Sequence, residues 1–174
     1  MTTIASRIKS VAFVGAATLL AALSVFGEDK LVERGQYLTY AGGCISCHTE
    51  DTDDAVPLAG GRAMETPFGT FYSPNITPDE ETGIGGWSDD DFVNAFWEGV
   101  SPDGEHYFPS FPYTAYTGAS REDLLAIKAY LMNLEPVSNE SPEHDLAWYM
   151  DTRIAADGWK ALNFEPARFE PDPE

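Results

Sequence analysis

Apolar residues recur at helical spacing in a few stretches of the chain. The stretch KLVERGQYLTYA places Leu31, Tyr37, Leu38 and Ala41 near one face. Gly42 and Gly43 follow and end it. WSDDDFVNAFWEGV brings Phe92, Ala95, Phe96 and Val100 onto one face, with Ser88 or Asp89 as the cap. SREDLLAIKAYLMNLEP carries the strongest period: Leu124, Ile127, Lys128 and Leu131 share a stripe. There Ser120 caps, Asp123 takes the capping-box position, and Asn133 and Pro136 close the helix. Between these helices the pattern breaks. Residues 49–86 and 101–117 are rich in Pro, Gly and Tyr and read as long structured loops, which suit a chain that wraps a large apolar object. From Val137 onward the chain reads as irregular, with a short helix around Asp151 to Leu162 and an acidic, Pro-rich tail. No strand pattern and no internal repeat stands out.

The first residues have a different pattern. MTTIASRIKS carries Arg7 and Lys9 and no acid, and VAFVGAATLLAALSVFG then runs apolar for 17 residues. A basic start, an apolar middle and small residues near the end mark an export signal. Cleavage after Ser24 or Gly27 fits, and an uncleaved anchor is the alternative, although a full span takes about 20 apolar residues. Residues 1–27 are therefore read as a signal peptide or N-terminal anchor, with membrane association possible through that segment. Residues 28–136 are read as one folded domain and 137–174 as an acidic C-terminal extension.

Composition narrows the partners. The formal charge over the 174 residues is −19. After Gly27 there are 8 basic against 29 acidic groups, a formal −21. Such a surface repels nucleic acid and anionic lipid, and it favours a partner with a basic docking patch. The same charge also serves solubility. DTDD at 51–54 and DEE at 79–81 lack the ligand spacing of a calcium loop and read as solvated loop charge.

The chemistry is concentrated in CISCH, which holds both cysteines and one of the three histidines. In an exported chain the two thiols could form a disulfide, a redox pair, half a zinc site or a pair of haem anchors. Zinc would need further ligands that the two remaining isolated histidines supply poorly. A redox pair usually follows a strand, and none precedes Cys44. Haem suits the spacing best. Cys44 and Cys47 lie one helical turn apart, so both can meet the vinyl groups, and His48 can ligate the iron. Three main helices and long loops around one haem make an all-α, cytochrome c-like fold.

RGQYLTYAGGCISCHT, LAGGRAMETPFGTFYSPNITPDEETGIGGWSDDDFVNAFWEGVSPDG, YFPSFPY and DLLAIKAYL together resemble the cytochrome c subunits of bacterial periplasmic dehydrogenases of the alcohol, aldehyde and gluconate type. The resemblance implies a periplasmic electron carrier rather than an enzyme. It implies a covalent haem c, a dehydrogenase upstream and another redox protein downstream. The chain departs from that pattern twice. The family usually strings several haem domains together, whereas CxxCH occurs once here, which implies a single-haem form. Many relatives carry PAMPY, whose methionine is the implied distal ligand; here the corresponding residue is Phe111 in PSFPY. His106, in the same loop, is the first candidate for the distal position and Met64 the alternative, ahead of Met132, His144 and Met150. Arg62, Tyr72, Asn75 and Trp87 are candidate donors to the haem propionates, with core packing as the competing role of Tyr72 and Trp87. An open distal site would instead make the protein a haem-based sensor or small-ligand-binding protein. A third reading is an interaction subunit in which haem only stabilises a docking module.

Overall fold

In the computed structural model, residues 27–150 and 152–168 are described. The expected signal peptide or anchor over 1–27 lies outside them, apart from Gly27. No helix among the described residues is long and apolar enough to cross a membrane.

The described part of the first helix, α1, covers residues 27–41. It is followed by α2 (Cys44–His48), β1 (Ala63–Thr66), β2 (Gly69–Tyr72), α3 (Asp89–Glu98), α4 (Tyr113–Tyr116), α5 (Arg121–Met132), β3 (Asp145–Leu146) and α6 (Arg153–Asn163). The caps of α3 and α5 follow the sequence. Ser88 Oγ accepts from the Asp91 amide at 3.1 Å, and Asp91 Oδ2 accepts from the Ser88 amide at 2.9 Å, a closed capping box. Ser120 Oγ likewise accepts from the Asp123 amide. The Asp123 carboxylate, however, takes Arg34 Nε of α1 at 2.7 Å. It therefore joins two helices instead of completing a box.

The core is built where α1, α3 and α5 meet the long loop. Leu58, Ile84, Phe92, Val93, Leu124, Ile127, Tyr130 and Leu131 form one buried cluster, with Val32, Leu38 and Ile45 packed against it. Lys128 sits in this region too. Its ammonium donates to the Trp87 carbonyl at 2.9 Å and to Asp89 Oδ1 at 2.7 Å, so the cation is partnered and binds α5 to the start of α3.

The inward face of α1 differs from the one its apolar spacing suggests. Tyr37 is 71% exposed, whereas Thr39 is fully buried. Gly35 decides this. A Cβ there would lie 1.8 Å from the Ala126 carbonyl oxygen of α5, so the two helices approach as closely as glycine allows. The face that crosses α5 is thus the one with no side chain in the way.

The expectation of an all-α chain with three main helices is corrected on two points. First, β1, β2 and β3 form a small antiparallel sheet in that order. β1 and β2 are a hairpin pairing Ala63 with Tyr72 and Met64 with Phe71. Thr66 Oγ1 fastens the turn, accepting from the Phe68 amide and donating to the Gly69 carbonyl. β3 docks against Gly69, where a Cβ would lie 2.2 Å from the Asp145 carbonyl oxygen. Four-residue strands are too short to show an alternating period. Second, the extension supplies a strand, β3. The short helix expected around Asp151 to Leu162 is present as α6, 11 residues capped by Thr152.

Replacing Gly35 by Ala should destabilise the fold by about 3 kcal/mol, through overpacking at the α1–α5 crossing. Chemical denaturation of the haem-loaded protein measures this. An unchanged midpoint would mean that the crossing tolerates a methyl group and does not set the face of α1.

Candidate functional site

Gly43 enters the left-handed region at φ 75°, which lets the chain turn sharply from α1 into α2. Ser46 Oγ donates back to the Gly43 carbonyl at 2.6 Å and tightens this turn. Both cysteines are free thiols, Cys44 half-buried and Cys47 exposed. Burial pushes the Cys44 thiol above its ordinary pKa, so it stays protonated near neutrality.

His48 ends α2. Its Nδ1 lies 2.8 Å from the Pro74 carbonyl oxygen. A carbonyl can only accept, so Nδ1 carries the proton and Nε2 keeps its lone pair. Burial pushes the imidazole pKa down, which favours the same neutral form. The two sides of this bond are held independently. The Gly60 amide donates to the His48 carbonyl at 2.8 Å. Beyond Pro74, Asn75 is buried and anchors the loop. Its Nδ2 donates to Thr82 Oγ1 (3.0 Å) and the Val137 carbonyl (2.6 Å), while its Oδ1 accepts from the Thr77 amide and hydroxyl. Both amide protons of Asn75 are thus engaged inside the protein.

An aromatic wall lies beyond this segment. Phe96 packs against Phe92, Phe111 and Tyr116, and Phe111 in turn touches Tyr107 and Tyr113. Tyr116 Oη donates to the Gly42 carbonyl at 2.7 Å, which joins the wall to the residues just before CISCH. Phe96, Tyr107, Phe108, Phe111 and Tyr116 are each only half-buried. The hydroxyl of Tyr113 is buried with no partner. Two free thiols one turn apart, an imidazole with its Nε2 lone pair preserved, and apolar rings still open on one side fit a haem.

The remaining candidates occupy distinct places. His106 pairs with Val100 in a short antiparallel bridge, and its Nδ1 lies 2.8 Å from Asp157 Oδ1 of α6. Met64 sits across the hairpin from Phe71, on the same face of the sheet. Phe71 packs on Phe108 and His144. His144 Nδ1 accepts from the Tyr72 amide at 3.2 Å, so in its neutral form the proton sits on Nε2, the reverse of His48. Arg62 Nη1 donates to the Thr49 carbonyl at 3.4 Å, beside His48, and Nη2 lies 3.8 Å from Asp51. Trp87 is half-buried against the core, and Tyr72 is half-buried in β2.

Pro74, Tyr116 and Asp157, which touch His48, Gly42 and His106, are partners that sequence reading missed. The density of aromatic residues between 107 and 116 was a visible signal for Tyr116. The other two act across long sequence separations and left no local mark.

Residues 32–135 match the family model described as Cytochrome c. Among curated proteins, the chain is 44% identical over 144 residues to a nicotinate dehydrogenase subunit of Pseudomonas putida, covering 83% of this chain and 12% of that protein. It is 42% identical over 137 residues to a diheme cytochrome c-type protein of Cereibacter sphaeroides, covering 77% and 46%. It is 41% identical over 150 residues to the gluconate 2-dehydrogenase cytochrome c subunit of Pantoea cypripedii, covering 82% and 34%. The chain thus spans less than half the length of each of these relatives.

Tyr116→Phe removes the hydroxyl that holds the Gly42 carbonyl and should cost about 1 kcal/mol of stability, measured by denaturant titration. Stability equal to the parent protein would mean that this bond does not tie the aromatic wall to α2.

Proposed function

The chain belongs to the cytochrome c family, and from that premise we propose that it is a periplasmic single-haem electron carrier serving a dehydrogenase. Cys44 and Cys47 would hold haem c through thioether bonds, and His48 Nε2 would ligate the iron. Bound there, the haem supplies one-electron oxidation and reduction at iron. The single observation that carries this reading is the His48–Pro74 hydrogen bond, which presents an unprotonated Nε2 directly after two free thiols.

The chain's own residues have clear tasks in this scheme. The Pro74 carbonyl fixes the tautomer and orientation of His48, and it makes the imidazole a stronger donor. The aromatic wall excludes water from the apolar faces of the cofactor. Arg62, whose guanidinium donates to the Thr49 carbonyl beside His48, is the first proposed donor to the haem propionates. His106 is the proposed distal ligand. Like His48, its Nδ1 faces an acceptor, and this leaves its Nε2 lone pair available. The acidic surface would steer a partner with a basic docking patch and raise the association rate. The partners proposed are a periplasmic dehydrogenase, in keeping with the names of the gluconate and nicotinate dehydrogenase relatives, and a second redox protein that accepts the electron. Residues 1–27 are proposed as the export signal or inner-membrane anchor.

Two outcomes test the reading. Haem colour should remain with the protein after acid–acetone extraction; colour passing into the solvent would rule out covalent attachment. His106→Ala should turn the ferric haem high-spin and allow carbon monoxide to bind once reduced, whereas Met64→Ala should leave six-coordination intact. The reverse pattern would assign the distal position to β1. A parent protein that is already five-coordinate and binds carbon monoxide rapidly would favour a haem-based sensor.

A further inference from the structure

We propose that Asp157, on α6 of the C-terminal extension, is the positioning carboxylate of the distal imidazole, and that the extension is thereby part of the haem site. This rests on the reading of His106 as distal ligand.

The geometry is specific. Asp157 Oδ1 lies 2.8 Å from His106 Nδ1, across 51 residues of sequence. An ionised carboxylate can only accept, so in the neutral ring the proton sits on Nδ1, facing Asp157, and the lone pair is on Nε2. A charged acceptor makes a stronger hydrogen bond than a peptide carbonyl. It therefore raises the donor strength of the ring more than the Pro74 carbonyl does for His48. Of the remaining histidine, His144, the opposite is true, because its Nδ1 is itself the acceptor.

Both partners are held firmly. The His106 backbone is fixed by its bridge to Val100 and by the Tyr107 amide donating to the Gly99 carbonyl at 2.9 Å. α6 is fastened on either side of Asp157. Ala156 is 1% exposed. Phe164 packs edge-on to Tyr113 with centroids 4.9 Å apart. Arg168 then stacks over Trp97 at 4.1 Å, donates to the Thr117 carbonyl at 3.0 Å and pairs with Glu98 Oε1 at 2.6 Å. Residues 153–168 thus form a strap over the end of α3 and the loop that carries His106. The carboxylate reaches His106 from a packed helix and not from a free tail.

A stronger distal donor stabilises ferric iron more than ferrous iron, so the strap lowers the reduction potential. The side chains of His106 and Asp157 are 36% and 55% exposed, so solvent screens part of this effect. Asn at position 157 keeps an oxygen that can accept from Nδ1 but removes the charge.

The test is redox titration of the full haem-loaded chain with optical spectra of both redox states. Asp157→Asn should remain six-coordinate and low-spin with its potential shifted upward, by more than in Asp103→Asn, which removes an equal charge from the loop that carries His106. Asp157→Glu should restore the potential toward the parent value. If Asp157→Asn shifts no further than Asp103→Asn while His106→Ala loses six-coordination, the inference is overturned and the distal assignment stands. If His106→Ala keeps its six-coordinate spectrum, the distal assignment fails and the inference fails with it.

Discussion

The hydrogen bond between His48 Nδ1 and the Pro74 carbonyl is the constraint around which the rest of the structure is arranged. It selects one tautomer of the only histidine adjacent to the two thiols, and so decides which ring nitrogen is left to ligate. A carbonyl can do this only if it is held still. Beyond the β1–β2 hairpin the long loop does so with polar bonds, because its residues after Tyr72 form no ladder. Asn75 joins Thr77, Thr82 and Val137. Asp79 accepts from the Thr82 amide and hydroxyl, and these bonds hold its carboxyl below the usual carboxylate range. What reads in sequence as a patternless stretch is therefore a short hairpin followed by turns pinned to one another.

The aromatic wall is built on a different principle. Its aromatic rings are only half-buried, which is costly for a protein folded without a cofactor, since apolar surface remains in contact with water. Covering those rings with haem adds to the core formed by α1, α3 and α5. The exposed carboxylates stay outside this apolar centre, where they cost little and can act at long range on a partner.

The C-terminal extension changes the meaning of the domain boundary. By composition it is an acidic, Pro-rich appendage to a domain over 28–136. In the fold it contributes β3 to the sheet and, through Asp157 of α6, a partner to His106. The matched family region ends at residue 135, so β3 and α6 lie beyond it while their partners Gly69 and His106 lie within it.

Much was legible in the sequence because it is local. The CISCH motif, the Ser88 and Ser120 caps and the apolar stripes of α3 and α5 depend on residues three or four apart, and helix geometry brings such residues together wherever they occur. The inward face of α1 was not legible, because Gly35 carries no hydrophobic signal and yet allows the close approach of α1 to α5. The strands were too short for a period to emerge. The partners of the histidines lay furthest from view: Pro74, Asp157 and Tyr72 meet them across 26, 51 and 72 residues. The sequence by itself determined which side chains could bind a cofactor. Which nitrogen of each imidazole is left free was decided only by the tertiary structure, since a ring nitrogen keeps or loses its proton according to the group that the fold sets opposite it.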